Sequence, residues 1–236
     1  YIKKSRLTYT YLLFRFIFVY KFIIKMNIEK IDLLRIKLQE SLDLLVNRIG
    51  PIQIGQKAQF PYGWRKAAKG RTVWRIVEEI IIQNLEKYYT EFNLKEIKSS
   101  EGEVTVHDME CKFSDDELLY VNIKSAVCGG RKNKDDISKA AGLKNFYDAD
   151  ANRNFFIATF FIKFNESMSI EIEKAVVFPI VWIKDIYVNP SNNGNLQSAY
   201  YKDLDDAVKR TNHDFLKLFH DAMDIAAKKK EKKYND

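Results

Sequence analysis

Apolar residues with helical spacing predict four helices along the chain. Between residues 27 and 49 the apolar side chains recur at steps of three and four, which predicts an amphipathic helix that ends at Gly50 and Pro51. A second stripe of this kind predicts a helix over residues 72–89, in which Glu78 lies beside the buried face. Later helical patterns predict two further helices, at residues 134–147 and 204–228.

Strand patterns occupy the middle of the chain. Apolar and polar residues alternate over residues 104–113 and again over 118–127, and the polar turn at 114–116 joins these two strands into a hairpin. Two nearly continuous apolar runs, at residues 155–164 and 175–188, are typical of central strands that are covered on both faces. Helices and strands in this order predict an α/β fold with a central mixed β-sheet flanked by helices.

Composition narrows the class of protein. A chain of 236 residues, 46% of them hydrophobic, can bury one sizeable core, and we expect a single domain over residues 26–228 with a basic tail at 229–236. The formal charge of +7 favours polyanionic partners, although an ordinary basic surface would look similar. Two cysteines, Cys111 and Cys128, cannot build a disulfide framework, which favours a reducing, cytoplasmic environment.

The first 25 residues form an apolar and basic extension. Arg15 and Lys21 interrupt its apolar run, which falls short of the roughly 20 residues that a membrane-spanning helix needs. The chain opens with Tyr1, and Met26 directly precedes the first patterned helix, so we expect translation to start at Met26 and the protein to have no membrane partner. The alternative is a membrane-associated protein that uses residues 1–25 as an interfacial anchor.

Candidate chemistry lies on the predicted hairpin. Asp108 belongs to its first strand, while Asn122 and Lys124 lie two residues apart on the second and therefore point the same way, roughly 6.6–7 Å apart. Phosphodiester hydrolysis needs carboxylate ligands for a divalent cation and a group that manages the attacking water. A metal ligand and an ammonium group can thus face one phosphate.

Asp108, a hairpin turn and then Asn122-Ile123-Lys124 resemble the signature of the PD-(D/E)xK nuclease superfamily. The order of elements over residues 54–220 is similar to that of the EcoRV- and HincII-like type II restriction endonucleases, with the closest likeness at residues 54–57 and 192–203. The resemblance implies a restriction-endonuclease-like fold and Mg²⁺-dependent, site-specific hydrolysis of double-stranded DNA that leaves 5′-phosphates. It further implies a bacterial homodimer with a cognate DNA methyltransferase in the same system.

By this resemblance Asp108 is the principal metal ligand, Lys124 the catalytic lysine and Asn122 the residue at the second acidic position. An amide there removes one negative charge, although its oxygen can still coordinate a hard cation. Glu78 is the preferred source of a further carboxylate, because the family places a helix glutamate near the metal; Glu79 and Glu110 stay open. The departure at residue 122 also leaves open a catalytically weakened DNA-binding or DNA-repair nuclease of the same fold.

Residues expected to contact DNA fall into two groups. Residues 192–198 resemble the loop by which such enzymes enter the major groove, where Asn and Gln side chains can bond the edge of adenine, although a solvated loop could have the same composition. Its candidate DNA-binding residues are Asn192, Asn193, Gly194, Asn195, Gln197 and Ser198. The residues expected to touch phosphates are Arg131, Lys132 and Lys134.

Overall fold

A computed structural model describes residues 2–65, 70–100, 102, 105–113, 117–191 and 194–235, with the side chains of 2–23, 70–71 and 233–235 outside the description. The described α-helices are α1 (Ile2–Ile49), α2 (Gly70–Tyr88), α3 (Ala140–Ala149) and α4 (Asn212–Asn235). The described strands are β1 (Ile52–Gln53), β2 (Glu96–Ser99), β3 (Met109–Lys112), β4 (Leu118–Val127), β5 (Asp135–Lys139), β6 (Asn154–Phe164), β7 (Ser169–Pro179), β8 (Tyr187–Val188) and β9 (Asn195–Ser198).

The predicted α/β class with a mixed sheet flanked by helices is confirmed. Six strands form one sheet in the order β1-β7-β6-β4-β3-β2. β4 and β6 are parallel, which requires a crossover that contains α3, and the other pairs are antiparallel. A second, three-stranded sheet has the order β5-β9-β8.

Helices α1 and α2 cover the larger sheet through the stripes that the sequence predicts. The buried side chains of α1 and α2 join those of the central strands in one hydrophobic cluster. Leu38, Leu42 and Leu45 of α1 and Val77 and Ile81 of α2 are almost completely buried within it. α1 packs on β7 and α2 on β4, so α2 lies above the strand that carries Asn122 and Lys124.

Several predicted boundaries are wrong. The first hairpin strand, predicted from residue 104, begins at Met109. The helix predicted over residues 134–147 begins at Ala140, because Asp135–Lys139 pairs with β9 as a strand. The run at 175–188 is divided between β7, a 3₁₀ turn and β8, and the helix predicted from residue 204 begins at Asn212.

The N-terminal helix continues through the predicted start at Met26. α1 runs without a break from Ile2 to Ile49, and its first buried apolar side chain among those described is Ile31. In the part of the chain that the structure describes, no helix combines the length and apolarity needed to cross a membrane. The domain boundaries at residues 26 and 229 stay predictions.

Candidate active site

The hairpin positions Asp108 through its backbone register. β3 and β4 pair with Met109 opposite Val121, and the Asp108 N–H extends this pairing by donating to the Val121 carbonyl at 2.9 Å. Asp108 thus immediately precedes β3, whereas the sequence predicts it within the strand. Its Oδ2 accepts a hydrogen bond from the Ile123 N–H, so the carboxylate is fixed to the backbone between Asn122 and Lys124.

Three predicted site residues act on one another electrostatically. Burial raises the pKa of Asp108, although the Ile123 N–H and the charge of Lys124 oppose this rise. Burial also raises the pKa of Glu78, and the negative charge of Asp108 adds to the rise. Burial lowers the pKa of Lys124 against the attraction of Asp108, Asp136 and Glu78. The fold thus brings Asp108, Glu78 and Lys124 together.

Asn122 has a buried oxygen without a partner. The residue is 9% exposed, and its Nδ2 donates to the Val106 carbonyl at 3.0 Å. This bond turns Oδ1 away from Val106, and Oδ1 makes no hydrogen bond with the described residues. A buried acceptor left unpaired costs about 1–3 kcal/mol, so this oxygen is suited to a ligand that would satisfy it.

The donor set fits a hard cation such as Mg²⁺. Among the described residues, no three His, Cys, Asp or Glu side chains converge on one point. Mg²⁺ does not require three, because it keeps several waters and is usually held by one or two carboxylates. Asp108 and Glu78 can supply these carboxylates, and the Asn122 amide oxygen is a further oxygen ligand.

Glu79 and Glu110, the other candidate carboxylates, have partners elsewhere. Glu110 contacts His107 Nε2 at 3.1 Å, and Glu79 accepts from Gln83 at 2.7 Å. Among the residues that the structure describes, the one ion pair of Glu78 is a long one with Arg75, at 3.9 Å, and the Glu78 side chain is 17% exposed. Geometry therefore favours Glu78 as the helix carboxylate.

A cleft of about 1250 Å³ runs beside the second half of β4. Lys124 lines it, but Asp108, Asn122 and Glu78 do not. The cleft begins where β3 no longer covers β4, since the β3 pairing ends at Val121. Its charged walls are mixed, with the basic residues Lys124, Arg131, Lys132, Lys174 and Lys202 and the acidic residues Asp43, Asp135, Asp136 and Asp203. Lys124 is thus the proposed catalytic residue that reaches the open space.

The predicted phosphate contacts differ in their availability. Arg131 is exposed and makes no ion pair within the described part of the chain. Lys132 is paired with Asp206 at 2.5 Å, so its charge is already partly balanced. Lys134 lies 4.3 Å from the centre of the Tyr187 ring. Arg131 and Lys134 are therefore better placed than Lys132 to meet a phosphate.

Much of the predicted recognition loop is strand. Asn192 and Asn193 lie outside the described residues, and Gly194 has a φ of 69° at the turn before β9. Asn195 and Gln197 lie on the half-buried face of β9. The hydroxyl of Ser198, by contrast, is buried and donates to Asp185. The structure therefore does not bring Ser198 to the surface where a base could meet it.

Sequence reasoning missed an acidic pair at the start of β5. Asp135 accepts hydrogen bonds from the Tyr201 hydroxyl, at 3.0 Å, and from Lys202. Its neighbour Asp136 accepts from Gln197 at 2.7 Å. The doublet follows the basic stretch at 131–134, but only the fold shows that both residues line the same cleft as Lys124.

Comparison with known proteins adds no family to this geometry. No protein-family model matches the chain, and no curated protein matches its sequence significantly. Function is therefore inferred from the residues of the site and the fold that positions them.

Proposed function

We propose that the protein is a Mg²⁺-dependent endonuclease of the PD-(D/E)xK type that hydrolyses double-stranded DNA. One observation carries the proposal: the Asp108 carboxylate accepts a hydrogen bond from the Ile123 N–H, between Asn122 and Lys124, and Glu78 is close enough for the charge of Asp108 to add to the rise of the Glu78 pKa that burial causes. The two carboxylates and the Lys124 ammonium group thus act on one another, beside the strand that also carries the Asn122 amide. This is the set of groups that metal-assisted phosphodiester hydrolysis requires.

Each residue has a distinct task. Asp108 and Glu78 would hold the cation, and the unsatisfied Oδ1 of Asn122 would complete its protein ligands. When bound, Mg²⁺ supplies Lewis acidity toward the phosphoryl oxygen. Because the charge of Asp108 adds to the cost of ionising Glu78, binding a cation with these two carboxylates would also relieve an electrostatic penalty of the unliganded fold.

Lys124 acts on the water and on the phosphate. Its ammonium group reaches the cleft from the strand that also carries Asn122, so it can orient the attacking water and stabilise the negative charge that develops on the phosphoryl oxygens. The water oxygen bonds to phosphorus as the bond to the 3′ oxygen breaks, which leaves a 5′-phosphate and a 3′-hydroxyl. Burial lowers the pKa of Lys124 and so favours proton transfer at this position.

The finer proposal is a type II restriction endonuclease with a restriction-endonuclease-like sheet. Its support is the order of described elements: the helix with Glu78, the β3–β4 hairpin, a basic loop, the buried strand β6, and the β8–β9 segment before α4. The proposals of a homodimer and of a cognate DNA methyltransferase rest on the sequence resemblance alone. The methyltransferase can be checked directly by asking whether an adjacent reading frame encodes one.

The test is a plasmid-cleavage assay with Mg²⁺ on the wild type, Lys124→Ala and the control Lys174→Ala. Lys174 lines the same cleft but lies over Phe161, 5.0 Å from the ring centre. We expect Lys124→Ala to cut about 10²–10⁴-fold more slowly with DNA retention largely unchanged, and Lys174→Ala to cut normally. Unchanged cleavage by Lys124→Ala would overturn the catalytic assignment.

The products separate the proposal from its nearest alternatives. Linear fragments of uniform length are expected from a restriction enzyme, whereas random degradation would indicate a repair or structure-specific nuclease. Retention of DNA without any cutting would favour a binding protein of the same fold. This last alternative is favoured by the amide of Asn122 at the second acidic position, because an amide offers a cation one negative charge less than a carboxylate.

A further inference from the structure

Gln197 is held on both sides by neighbouring strands of the smaller sheet. Its Nε2 donates to Asp136 Oδ1 at 2.7 Å, and Asp136 lies directly opposite it on β5. Its Oε1 accepts from Asn189 Nδ2 at 3.2 Å, just after β8. Both polar atoms of this side chain are therefore committed to the protein, although the residue lies on the half-buried face of β9.

These contacts allow only one orientation of the amide. An ionised Asp136 can only accept hydrogen bonds. Asn189 can only donate toward Gln197, because its own Oδ1 accepts from the Ser191 N–H at 2.9 Å. A reversed amide would bring Gln197 Oε1 against the Asp136 carboxylate and Nε2 against another amino group. The network therefore specifies the orientation of an amide that is otherwise free to turn over.

A primary amide has two N–H donors and two acceptor lone pairs, of which Asp136 and Asn189 use one each. One N–H donor and one acceptor lone pair of the amide remain, in an order that the two contacts fix. In the major groove adenine presents the complementary pair, the N7 acceptor and the N6 amino donor. Guanine presents two acceptors there, while cytosine and thymine lack such a pair.

We propose that Gln197 reads one adenine of duplex DNA and that Asp136 and Asn189 are positioning residues that fix its amide for that purpose. Asp136 lines the cleft together with Lys124, so the base would be read next to the proposed catalytic lysine. The inference rests on the proposed function only for its ligand, duplex DNA.

The test is a binding experiment in Ca²⁺, used in place of Mg²⁺ so that DNA is held without being cut. A preferred sequence is selected from a randomised duplex pool with the wild-type protein. Each adenine of that sequence is then replaced in turn by 7-deazaadenine, which lacks the N7 acceptor. At one adenine per half-site the wild type should bind about 5- to 150-fold more weakly. Gln197→Ala should bind the two duplexes equally.

Variants of the two flanking residues test the positioning role. Asp136→Ala and Asn189→Ala should lose most of the discrimination against 7-deazaadenine, whereas Asp136→Asn keeps an acceptor oxygen and should retain it. The double variant Asp136→Asn, Asn189→Asp exchanges the donor and acceptor sides, keeps the acceptor for Ser191, and should turn the amide over and abolish the preference. If Asp136 and Asn189 served folding alone, the single variant Asp136→Asn and the double variant would have equal urea midpoints. These two variants would then also discriminate equally against 7-deazaadenine.

The outcomes separate this inference from the nuclease proposal. An undiminished 7-deazaadenine penalty in Gln197→Ala or in Asp136→Ala overturns the inference, whether or not the protein cuts DNA. A penalty that depends on Gln197 in a protein that never cuts supports the inference and overturns the nuclease. A protein that selects no duplex sequence overturns the inference while plasmid cleavage is judged separately.

Discussion

At the scale of single residues, Asn122 decides how far the proposed chemistry extends. Its Nδ2 is used by the Val106 carbonyl, and its Oδ1 is buried without a partner. The strand therefore carries a polar side chain that is only half satisfied by the fold. An unpaired buried acceptor of this kind lowers the stability of the unliganded protein, and a ligand at Oδ1 would restore that stability.

Replacing Asn122 by aspartate should strengthen the response to Mg²⁺. The new carboxylate would add a buried negative charge to the strand segment that already holds Asp108 and would lose the hydrogen bond to Val106, so the metal-free protein should be less stable than the wild type. Mg²⁺ would relieve that repulsion. We therefore expect millimolar Mg²⁺ to raise the Tm of Asn122→Asp by more than that of the wild type in thermal unfolding. Equal shifts in both proteins would contradict a cation site at residue 122.

Asp32 gives a prediction about pH. It accepts hydrogen bonds from Arg35 Nε at 2.7 Å and Lys209 Nζ at 2.5 Å, and so joins α1 to the segment before α4. Burial alone would raise the pKa of Asp32, but the bonds from Lys209 and Arg35 outweigh it and lower the pKa. A lowered folded pKa adds stability above the unfolded value of about 3.9, and this is lost as pH falls through the folded pKa.

The wild type should therefore have a higher free energy of unfolding than Asp32→Asn, with the largest difference near pH 7. This difference should disappear as the pH falls below about 4. Urea unfolding of both proteins from pH 7 to pH 3 measures it. A gap that stays constant over this range would show that the carboxylate charge contributes nothing.

At the scale of elements, α1 offers a matched pair of leucines. Leu38 is completely buried against the sheet, whereas Leu44 is 43% exposed on the same helix. Leu38→Ala should lower the free energy of unfolding by about 2–5 kcal/mol, because the cavity it leaves cannot fully collapse. Leu44→Ala should change it by less than about 0.5 kcal/mol. Similar losses for both variants in urea unfolding would mean that α1 packs differently.

The elements also show where sequence reasoning succeeds. β4 spans Leu118–Val127, as predicted, because its alternating pattern and the glycines after it are local signals. The bond of Asp108 to the backbone between Asn122 and Lys124 has the same local origin, since a hairpin sets its own register. Local patterns therefore sufficed for the part of the site that one hairpin carries.

The smaller sheet shows why the rest could not be predicted. β5 and β9 are five and four residues long, and each is stabilised by a partner about 60 residues away. The apolar positions of β5 also continue the helical pattern of α3, so the local signal favoured a helix. The link between Asp136 and Gln197 depends on that distant pairing and was beyond any local pattern.

At the scale of the whole molecule, the charge of +7 predicts binding to duplex DNA that weakens with salt. If Arg131 and Lys134 each meet one phosphate, log K should fall with log salt at a slope of about −1.8 per protomer. Arg131→Ala should reduce the magnitude of that slope by about 0.9. The control Lys132→Ala should change it less, because Asp206 already balances that charge.

The measurement is fluorescence anisotropy with a labelled duplex from about 50 to 200 mM salt, with Ca²⁺ present and Mg²⁺ absent. Binding that is insensitive to salt would contradict a phosphate-tracking surface. A larger effect of Lys132→Ala than of Arg131→Ala would instead indicate that the Asp206 pair opens when DNA binds.

Asp108 has two duties, since its carboxylate takes up the Ile123 N–H at the point where β3 no longer reaches β4. A descendant of this protein that had given up catalysis would still benefit from an acceptor there. If such a lineage kept the aspartate, this would indicate only that the residue still stabilises the backbone of the sheet. Whether Lys124 is kept would be the better indicator of whether DNA is still cut.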